Sequence, residues 1–180
     1  MFNSLFGKLF TQEDPQYSSV YVFLDVDGVL SPVQETIPDG YTTVEAEQGQ
    51  WHLHRKHRDW LTALQGHGAT LIWETIAGKD ANDFIIPFYN MHPFPCVDYE
   101  NINIRLEDES DSRTFKLPFI ADSAKNKPAV IVDDELRADV DAWAEEREAP
   151  TLIVRPDPAV GVNERERERV IAFVKKTLGR

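Results

Sequence analysis

The chain contains little cysteine and few basic residues. Its single cysteine, Cys96, excludes an internal disulfide and a thiolate metal cluster, and we expect its thiol to be buried. Lysine and arginine account for 19 of the 180 residues, against 31 aspartates and glutamates, so the net charge is −12. This charge disfavours a broad nucleic-acid-binding face, because neutralising phosphates requires an excess of cations.

Long hydrophobic runs are also absent. No stretch approaches the roughly 18 apolar residues needed to span a bilayer. The first ten residues lack the continuous apolar core and cleavage pattern of a secretory leader. Apolar residues at positions 2, 5, 6, 9 and 10 have helical spacing. Residues 1–17 are therefore predicted to be an extension with a short amphipathic helix, which packs on the domain or contacts a partner or membrane surface. We expect a cytoplasmic protein and leave its oligomeric state open.

From residue 18 to residue 180, short apolar runs alternate with segments of helical periodicity, which predicts a single α/β domain. The predicted strands are 20–24, 69–73, 128–132 and 151–154. The predicted helices are 58–66, 80–89, 114–123, 138–147 and 163–178. This alternation favours a Rossmann-like three-layer sandwich with a mainly parallel sheet. The small insert at residues 31–58 has room for a loop or hairpin only, so no full cap domain is expected.

Polar residues directly follow three of the predicted strands. They are Asp25 and Asp27, Glu74 and Thr75, and Asp133 and Asp134. Parallel α/β sheets bind ligands at the carboxyl ends of their strands, so these side chains should converge. Burying several carboxylates together is costly unless they have a partner, and a divalent cation used in phosphoryl chemistry is the simplest one.

The segment at 24–30, Leu-Asp-Val-Asp-Gly-Val-Leu, resembles the first motif of the haloacid dehalogenase superfamily. Thr75, Lys116 and the pair Asp133-Asp134 then resemble its second, third and fourth motifs, in the expected order. The resemblance extends over residues 18–178. It is closest to small capless domains that occur alone or attached to RNA-repair proteins, and it implies the haloacid dehalogenase fold.

The resemblance also implies a role for each residue of these motifs. Asp25 would be the nucleophile that forms an aspartyl-phosphate, and Asp27 would act as general acid and then general base. Gly28 would let the backbone approach the phosphate. Thr75 would hydrogen-bond a phosphoryl oxygen, and Lys116 would neutralise negative charge.

The implied cofactor is Mg²⁺, held by Asp25, by the backbone carbonyl of Asp27, and by Asp133 in preference to Asp134. The expected function is that of a Mg²⁺-dependent phosphomonoester hydrolase. One alternative is a nucleotidase or phosphotransferase acting on a small phosphorylated metabolite. Another is a binding module that has lost turnover, since Glu74 stands where the capless group usually has a small residue.

Other interpretations of the single residues stay open in the sequence. Thr75 could cap the following helix, and the Asp133-Asp134 pair could cap another. Lys116 could be a surface lysine, with Lys125 or Lys127 in its place.

The substrate is also open. A capless site suits a large phosphorylated substrate, such as a nucleic-acid end or a phosphoprotein. The one locally basic cluster, which could bind such a substrate, comprises His52, His54, Arg55, Lys56, His57 and Arg58. Its histidines fit no common zinc arrangement.

Overall fold

The computed structural model describes residues 17–46, 49–99 and 114–180. The strands are β1 (Val20–Leu24), β2 (Tyr41–Ala46), β3 (Gly49–His54), β4 (Ala69–Trp73), β5 (Ala129–Val132) and β6 (Thr151–Val154). The α-helices are α1 (Lys56–Gly66), α2 (Gly78–Asp80), α3 (Ile86–Tyr89), α4 (Leu117–Ala124), α5 (Ala138–Glu146) and α6 (Glu164–Thr177). A π-helical stretch, Ala81–Ile85, joins α2 to α3.

The central sheet contains four parallel strands in the order β4-β1-β5-β6. Side chains alternate between its faces, as the two-residue period of a strand requires. On β1, Val22 and Leu24 belong to one apolar cluster, whereas Phe23 belongs to the other. Because β1 is paired on both sides and buried on both faces, its sequence is almost wholly apolar.

Helices cover both faces of this sheet. The larger cluster packs α1, α6, the β2–β3 hairpin and the 81–89 segment against one face. The smaller cluster packs α4 and α5 against the other. The α/β architecture, with a parallel sheet between helical layers, is therefore as predicted.

The element boundaries follow the sequence closely. The four strands of the sheet lie within a residue of their predicted positions, and the insert is a hairpin. At the start of α6, Asn163 and Glu166 form a reciprocal capping box through N···O contacts of 2.9 and 3.0 Å. The helix predicted over residues 80–89 is interrupted by the π-helical stretch that precedes Pro87.

The prediction that Cys96 is buried is wrong, because the residue is exposed. Trp73 forms an isolated bridge to Cys96, with its backbone hydrogen-bonded to Pro95 and Val97 at 2.8 Å. The bridge adds a single paired residue beside the outer edge of β4 and does not form a further strand. The flanking Phe94 and Val97 point inward, and Cys96 does not.

The N-terminal extension predicted at residues 1–17, with its short amphipathic helix, lies outside the described residues except for residue 17. In the described ranges, no helix is both long enough and apolar enough to cross a membrane.

Candidate active site

Three carboxyl-bearing residues lie one position beyond the carboxyl ends of three neighbouring strands. Leu24 of β1 is in register with Trp73 of β4 and Val132 of β5, so Asp25, Glu74 and Asp133 come next on adjacent strands. The backbone ladder continues through them. Asp25 donates its amide to the Val132 carbonyl at 3.0 Å, and Glu74 donates to the Leu24 carbonyl at 2.9 Å. Parallel pairing therefore explains their convergence.

A lysine from another part of the chain lies among these carboxyls. The Nζ atom of Lys116 donates hydrogen bonds to Oδ2 of Asp25 and, at 2.7 Å, to Oδ2 of Asp133. The same atom lies 4.0 Å from Oε2 of Glu74. Lys116 is only 8% exposed, so the surface-lysine alternative does not hold.

The two other candidate lysines do not reach this site. Lys125 and Lys127 are both exposed and line a separate depression with Tyr17 and Tyr21. Of the three lysines considered for the third motif, Lys116 is therefore the one that contacts the carboxyl groups.

Charge balance distinguishes Glu74 from the aspartates. The side chain of Glu74 is fully buried, and in the described part of the chain no donor forms a hydrogen bond with its carboxyl oxygens. Burial raises the pKa of Glu74 well above its usual value, and the attraction of Lys116 opposes this only in part. Burial alone would lower the pKa of Lys116, but Glu74, Asp25 and Asp133 outweigh it and raise that pKa. Both shifts favour the protonated form of the group concerned.

Three aspartates are placed to hold a cation. Asp25, Asp133 and Asp134 each offer an oxygen, and these atoms all lie within 4.8 Å of one another. Burial raises the pKa of Asp134 to about 6, with Asp133 and Asp25 adding to the effect. A compact set of carboxylate oxygens suits a hard divalent cation such as Mg²⁺. The side chain of Asp27 is not in this set, and the metal role of its backbone carbonyl stays a prediction.

A tight turn after β1 sets the position of Asp27 and Gly28. The carbonyl of Val26 accepts the Ser31 amide at 2.9 Å, and Gly28 donates its amide to the Ser31 carbonyl at 2.9 Å. Gly28 has φ +67°, where a side chain is strained, and an added Cβ would lie under 3.0 Å from the Asp134 carboxylate. Only glycine allows the turn and Asp134 to meet so closely.

Asp27 itself lies on the open side of this turn, where its side chain is exposed. Partial desolvation still raises its pKa, while a hydrogen bond from the Trp51 side chain lowers it in part. A carboxyl group that is accessible and has a raised pKa is suited to exchanging protons with a ligand or with water.

These residues meet in an open cleft of about 660 Å³. Its lining comprises Asp25, Asp27, Val33, Thr75, Ile76, Ala77, Lys79, Asp80, Lys116, Asp134 and Glu135. Thr75 is buried, and its Oγ1 accepts the Ala77 amide at 3.3 Å. Its hydroxyl therefore supports the local turn, and the residue also lines the cleft.

Asp133 and Asp134 do not cap a helix. The residue at the start of α5 is Arg137, which makes no side-chain cap. Asp133 instead accepts the Glu135 amide at 2.6 Å through Oδ1, which holds the carboxylate in place while Oδ2 faces Lys116.

The basic cluster at residues 52–58 does not line the cleft. Arg55 donates to the Phe88 carbonyl and lies 4.7 Å from the centre of its ring. His57 is fully buried, with Nδ1 3.5 Å from the Tyr89 hydroxyl. These contacts of Arg55 and His57 stabilise the hairpin and α1. The position of the basic cluster gives no support to a role in substrate binding, which stays a prediction.

Two supporting residues were not assigned these contacts from the sequence. Tyr99 donates its hydroxyl to the carbonyl of Glu74. Asn82 accepts hydrogen bonds through its side-chain oxygen from the Trp73 indole at 3.0 Å and from the Phe94 amide at 2.9 Å. Asn82 thus ties the 94–97 segment to the end of β4. No local pattern around Tyr99 indicates its contact.

No model of a known protein family, no curated protein and no solved structure matches this chain.

Proposed function

We propose that the protein is a Mg²⁺-dependent phosphomonoester hydrolase that acts through an aspartyl-phosphate, in the manner of a capless haloacid dehalogenase phosphatase. One observation carries this proposal. Asp25, at the end of the central strand, shares the buried ammonium of Lys116 with Asp133 on the next strand. A carboxylate held beside a fixed cation in an open cleft is suited to attack on a dianionic phosphate.

The first step would form the intermediate. An oxygen of Asp25 attacks phosphorus, and the bond from phosphorus to the leaving oxygen breaks. Asp27 delivers a proton to that oxygen, so the alcohol leaves neutral. The raised pKa of Asp27 favours this donation, because the carboxyl keeps its proton to a higher pH than an unperturbed aspartate does.

The second step would release the product. Asp27 takes a proton from water, the water oxygen attacks phosphorus, and the bond from phosphorus to Asp25 breaks. Inorganic phosphate leaves, and both aspartates return to their starting states. Throughout, Lys116 stays within hydrogen-bonding distance of Asp25 and balances the charge on the phosphoryl oxygens, while Thr75 orients them.

Asp25, Asp133 and Asp134 would hold the Mg²⁺ ion, with Gly28 leaving room for the Asp134 carboxylate. When bound, the ion would supply positive charge that stabilises the phosphoryl oxygens in the transition state.

The cleft also bears on the substrate. Five of its lining residues are acidic and two are lysines: Asp25, Asp27, Asp80, Asp134, Glu135, Lys79 and Lys116. This balance accommodates one phosphoryl group with its metal ion, whereas a polyanion would bring further phosphates toward carboxylates. The proposal therefore favours a substrate with a single phosphomonoester over a nucleic-acid end.

Hydrolysis of p-nitrophenyl phosphate tests the proposal directly. We expect turnover with Mg²⁺, loss of turnover with EDTA, and recovery when Mg²⁺ is restored. Asp25→Asn should lower kcat by at least about a thousandfold, because it removes the nucleophile. The matched control is Asp122→Asn, an exposed aspartate on α4 outside the cleft.

Two outcomes would reject the proposal. One is the absence of Mg²⁺-dependent turnover, which would favour a binding module. The other is unchanged turnover in Asp25→Asn. Transfer of phosphate to an added alcohol in preference to water would instead favour a phosphotransferase on a small metabolite.

A further inference from the structure

Three of the exposed large apolar side chains line the cleft or the space beside it. Among the described residues, the exposed ones are Val33 at 59%, Ile37 at 52%, Ile76 at 71%, Phe115 at 45% and Val160 at 53%. Val33 and Ile76 line the cleft, and Ile76 and Phe115 line a second cavity beside it. Apolar surface left in water at one place is unfavourable, and its concentration at a site indicates a ligand that covers it.

The second cavity, of about 370 Å³, adjoins the cleft. Ile76, Lys116 and Glu135 line both spaces, so a ligand bound in the cleft beside Lys116 lies next to the second one. Its remaining lining residues are Thr114, Phe115, Asp133 and Arg137.

The apolar residues adjoin the residues that would bind phosphate. Ile76 follows Thr75 in the chain, and Phe115 precedes Lys116. The ring of Phe115 is held by stacking on Tyr99, at a centroid distance of 6.3 Å and an interplanar angle of 16°. An aromatic surface therefore lies beside the proposed phosphoryl position.

Three of the polar residues that line the second cavity, Thr114, Lys116 and Asp133, are hydrogen-bonded within the protein, while Glu135 and Arg137 are exposed. The Thr114 hydroxyl donates to Asp139 at 2.8 Å and accepts the Arg137 amide at 2.9 Å. Asp133 is bonded to Lys116 and to the Glu135 amide. The polar groups of Thr114, Lys116 and Asp133 are thus engaged inside the protein, and Ile76 and Phe115 offer the apolar contact of this cavity.

We propose that the second cavity is the subsite for the leaving group, and that the substrates are phosphomonoesters of apolar, aromatic-sized alcohols or phenols. This inference rests on the proposed phosphohydrolase function for the placement of the phosphate. The phosphoryl group binds at Asp25 and Lys116, and the apolar part of the ester lies between Ile76 and Phe115.

Binding of two phosphonates tests the subsite without turnover. Isothermal titration calorimetry in Mg²⁺ would compare phenylphosphonate with methylphosphonate, which carry the same anionic group. We expect phenylphosphonate to bind at least about tenfold more tightly, because only its ring covers apolar surface. Phe115→Ala and Ile76→Ala should each reduce this ratio, while the affinity for methylphosphonate stays within about twofold. The matched control is Val160→Ala, an exposed apolar residue outside both spaces.

Steady-state kinetics with phenyl phosphate and methyl phosphate complete the test. The comparison is variant against wild type for each ester, which cancels the different reactivities of the two leaving groups. Phe115→Ala and Ile76→Ala should raise KM for phenyl phosphate and leave KM for methyl phosphate unchanged. Mg²⁺-dependent turnover together with equal phosphonate affinities, or with a ratio that neither variant changes, would overturn the subsite alone. Absence of Mg²⁺-dependent turnover on both esters would overturn the proposed function itself.

Discussion

The ammonium group of Lys116 donates a hydrogen bond to the carboxylate of Asp25, 91 residues earlier in the chain, and both side chains are buried. A buried pair of this kind is costly to break, because removing one partner leaves the other charge without compensation. The contact therefore links the stability of the fold to the proposed chemistry.

Lys116→Met should test this link, since methionine keeps a similar length and loses the charge. We expect the free energy of unfolding at pH 7 to fall by about 3 kcal/mol or more, because the carboxyls of Asp25 and Asp133 lose their cation. Urea denaturation gives this value. Lys127→Met, at an exposed site, should change it by less than about 0.5 kcal/mol. Equal losses in the two variants would show that the buried contact contributes no net stability.

Glu74→Gln should make the free energy of unfolding less sensitive to a rise in pH. The pKa of Glu74 is raised in the folded protein, so its favourable contribution is complete below the unfolded value of 4.5 and is lost as pH rises through the folded pKa. Glutamine has a similar shape and cannot ionise. Relative to wild type, the variant should therefore gain unfolding free energy as pH rises above 4.5, which urea denaturation from pH 5 upward measures. Parallel stability profiles for the two proteins over this range would contradict the assignment.

His57 should make the protein sensitive to acid. Burial lowers its pKa from 6.5 to about 3, so the unfolded chain binds a proton that the folded chain excludes. The associated stability is complete above pH 6.5 and is lost as pH falls toward the folded pKa. Lowering the pH from 7 to 5 should therefore reduce the free energy of unfolding by about 2 kcal/mol through this group alone.

His57→Leu should remove that part of the pH dependence, whatever it does to stability at pH 7. Denaturation at the two pH values measures the difference within each protein. His92→Gln, at an exposed histidine, should keep the wild-type difference. An unchanged difference in His57→Leu would mean that other groups cause the acid sensitivity.

Gly28→Ala should disable the proposed metal site. The added Cβ would collide with the Asp134 carboxylate at a backbone position where φ is +67°, so the turn or Asp134 must move. We expect Mg²⁺-dependent turnover to fall by at least about a hundredfold, because small displacements of reacting groups are costly. Gly66→Ala is the control, since nothing lies within 4 Å of a Cβ there. Wild-type turnover in Gly28→Ala would refute the steric argument.

Mg²⁺ should stabilise the folded protein. At about a hundred times its dissociation constant, a ligand that binds only the folded state adds about 2.7 kcal/mol. Asp134→Asn should reduce this gain, whereas the exposed Asp122→Asn should keep it. The pKa of Asp134 is raised to about 6, so protons should compete with the metal and weaken the gain as pH falls below that value. Thermal melts with Mg²⁺ and with EDTA at pH 7.5 and pH 5.5 measure both effects.

The strands of the central sheet could be predicted from the sequence because nearly all of their side chains are buried in the apolar core. Val22 and Leu24 face one apolar layer and Phe23 faces the other, so the segment is apolar throughout and ends where Asp25 begins. The convergence of carboxyls followed from the same reasoning, since parallel strands end at one edge. Lys116 could be named only through resemblance, because nothing in the sequence near it indicates a contact 91 residues away.

Features set by tertiary packing were not predictable in this way. The exposure of Cys96 depends on where a single bridge to Trp73 ends the edge of the sheet. The form of the helix near Pro87 depends on how Ile85 and Tyr89 fit against the core, for which a proline predicts a break but not a π-helical stretch. The apolar subsite likewise depends on Ile76 and Phe115, which adjoin in space but not in sequence.

The register of the sheet has a consequence for protein synthesis. Asp25, Glu74 and Asp133 belong to three strands joined by long crossovers, and Lys116 lies between the second and third of them. A ribosome-bound chain that has emerged only as far as β4 holds Asp25 and Glu74, but neither the lysine that compensates them nor Asp133. Since β4 pairs with β1, Asp25 and Glu74 can meet before β5 is made, but the other edge of β1 is then still open to solvent. Asp133, the last of the three acids to be synthesised, always joins a chain that already contains Lys116.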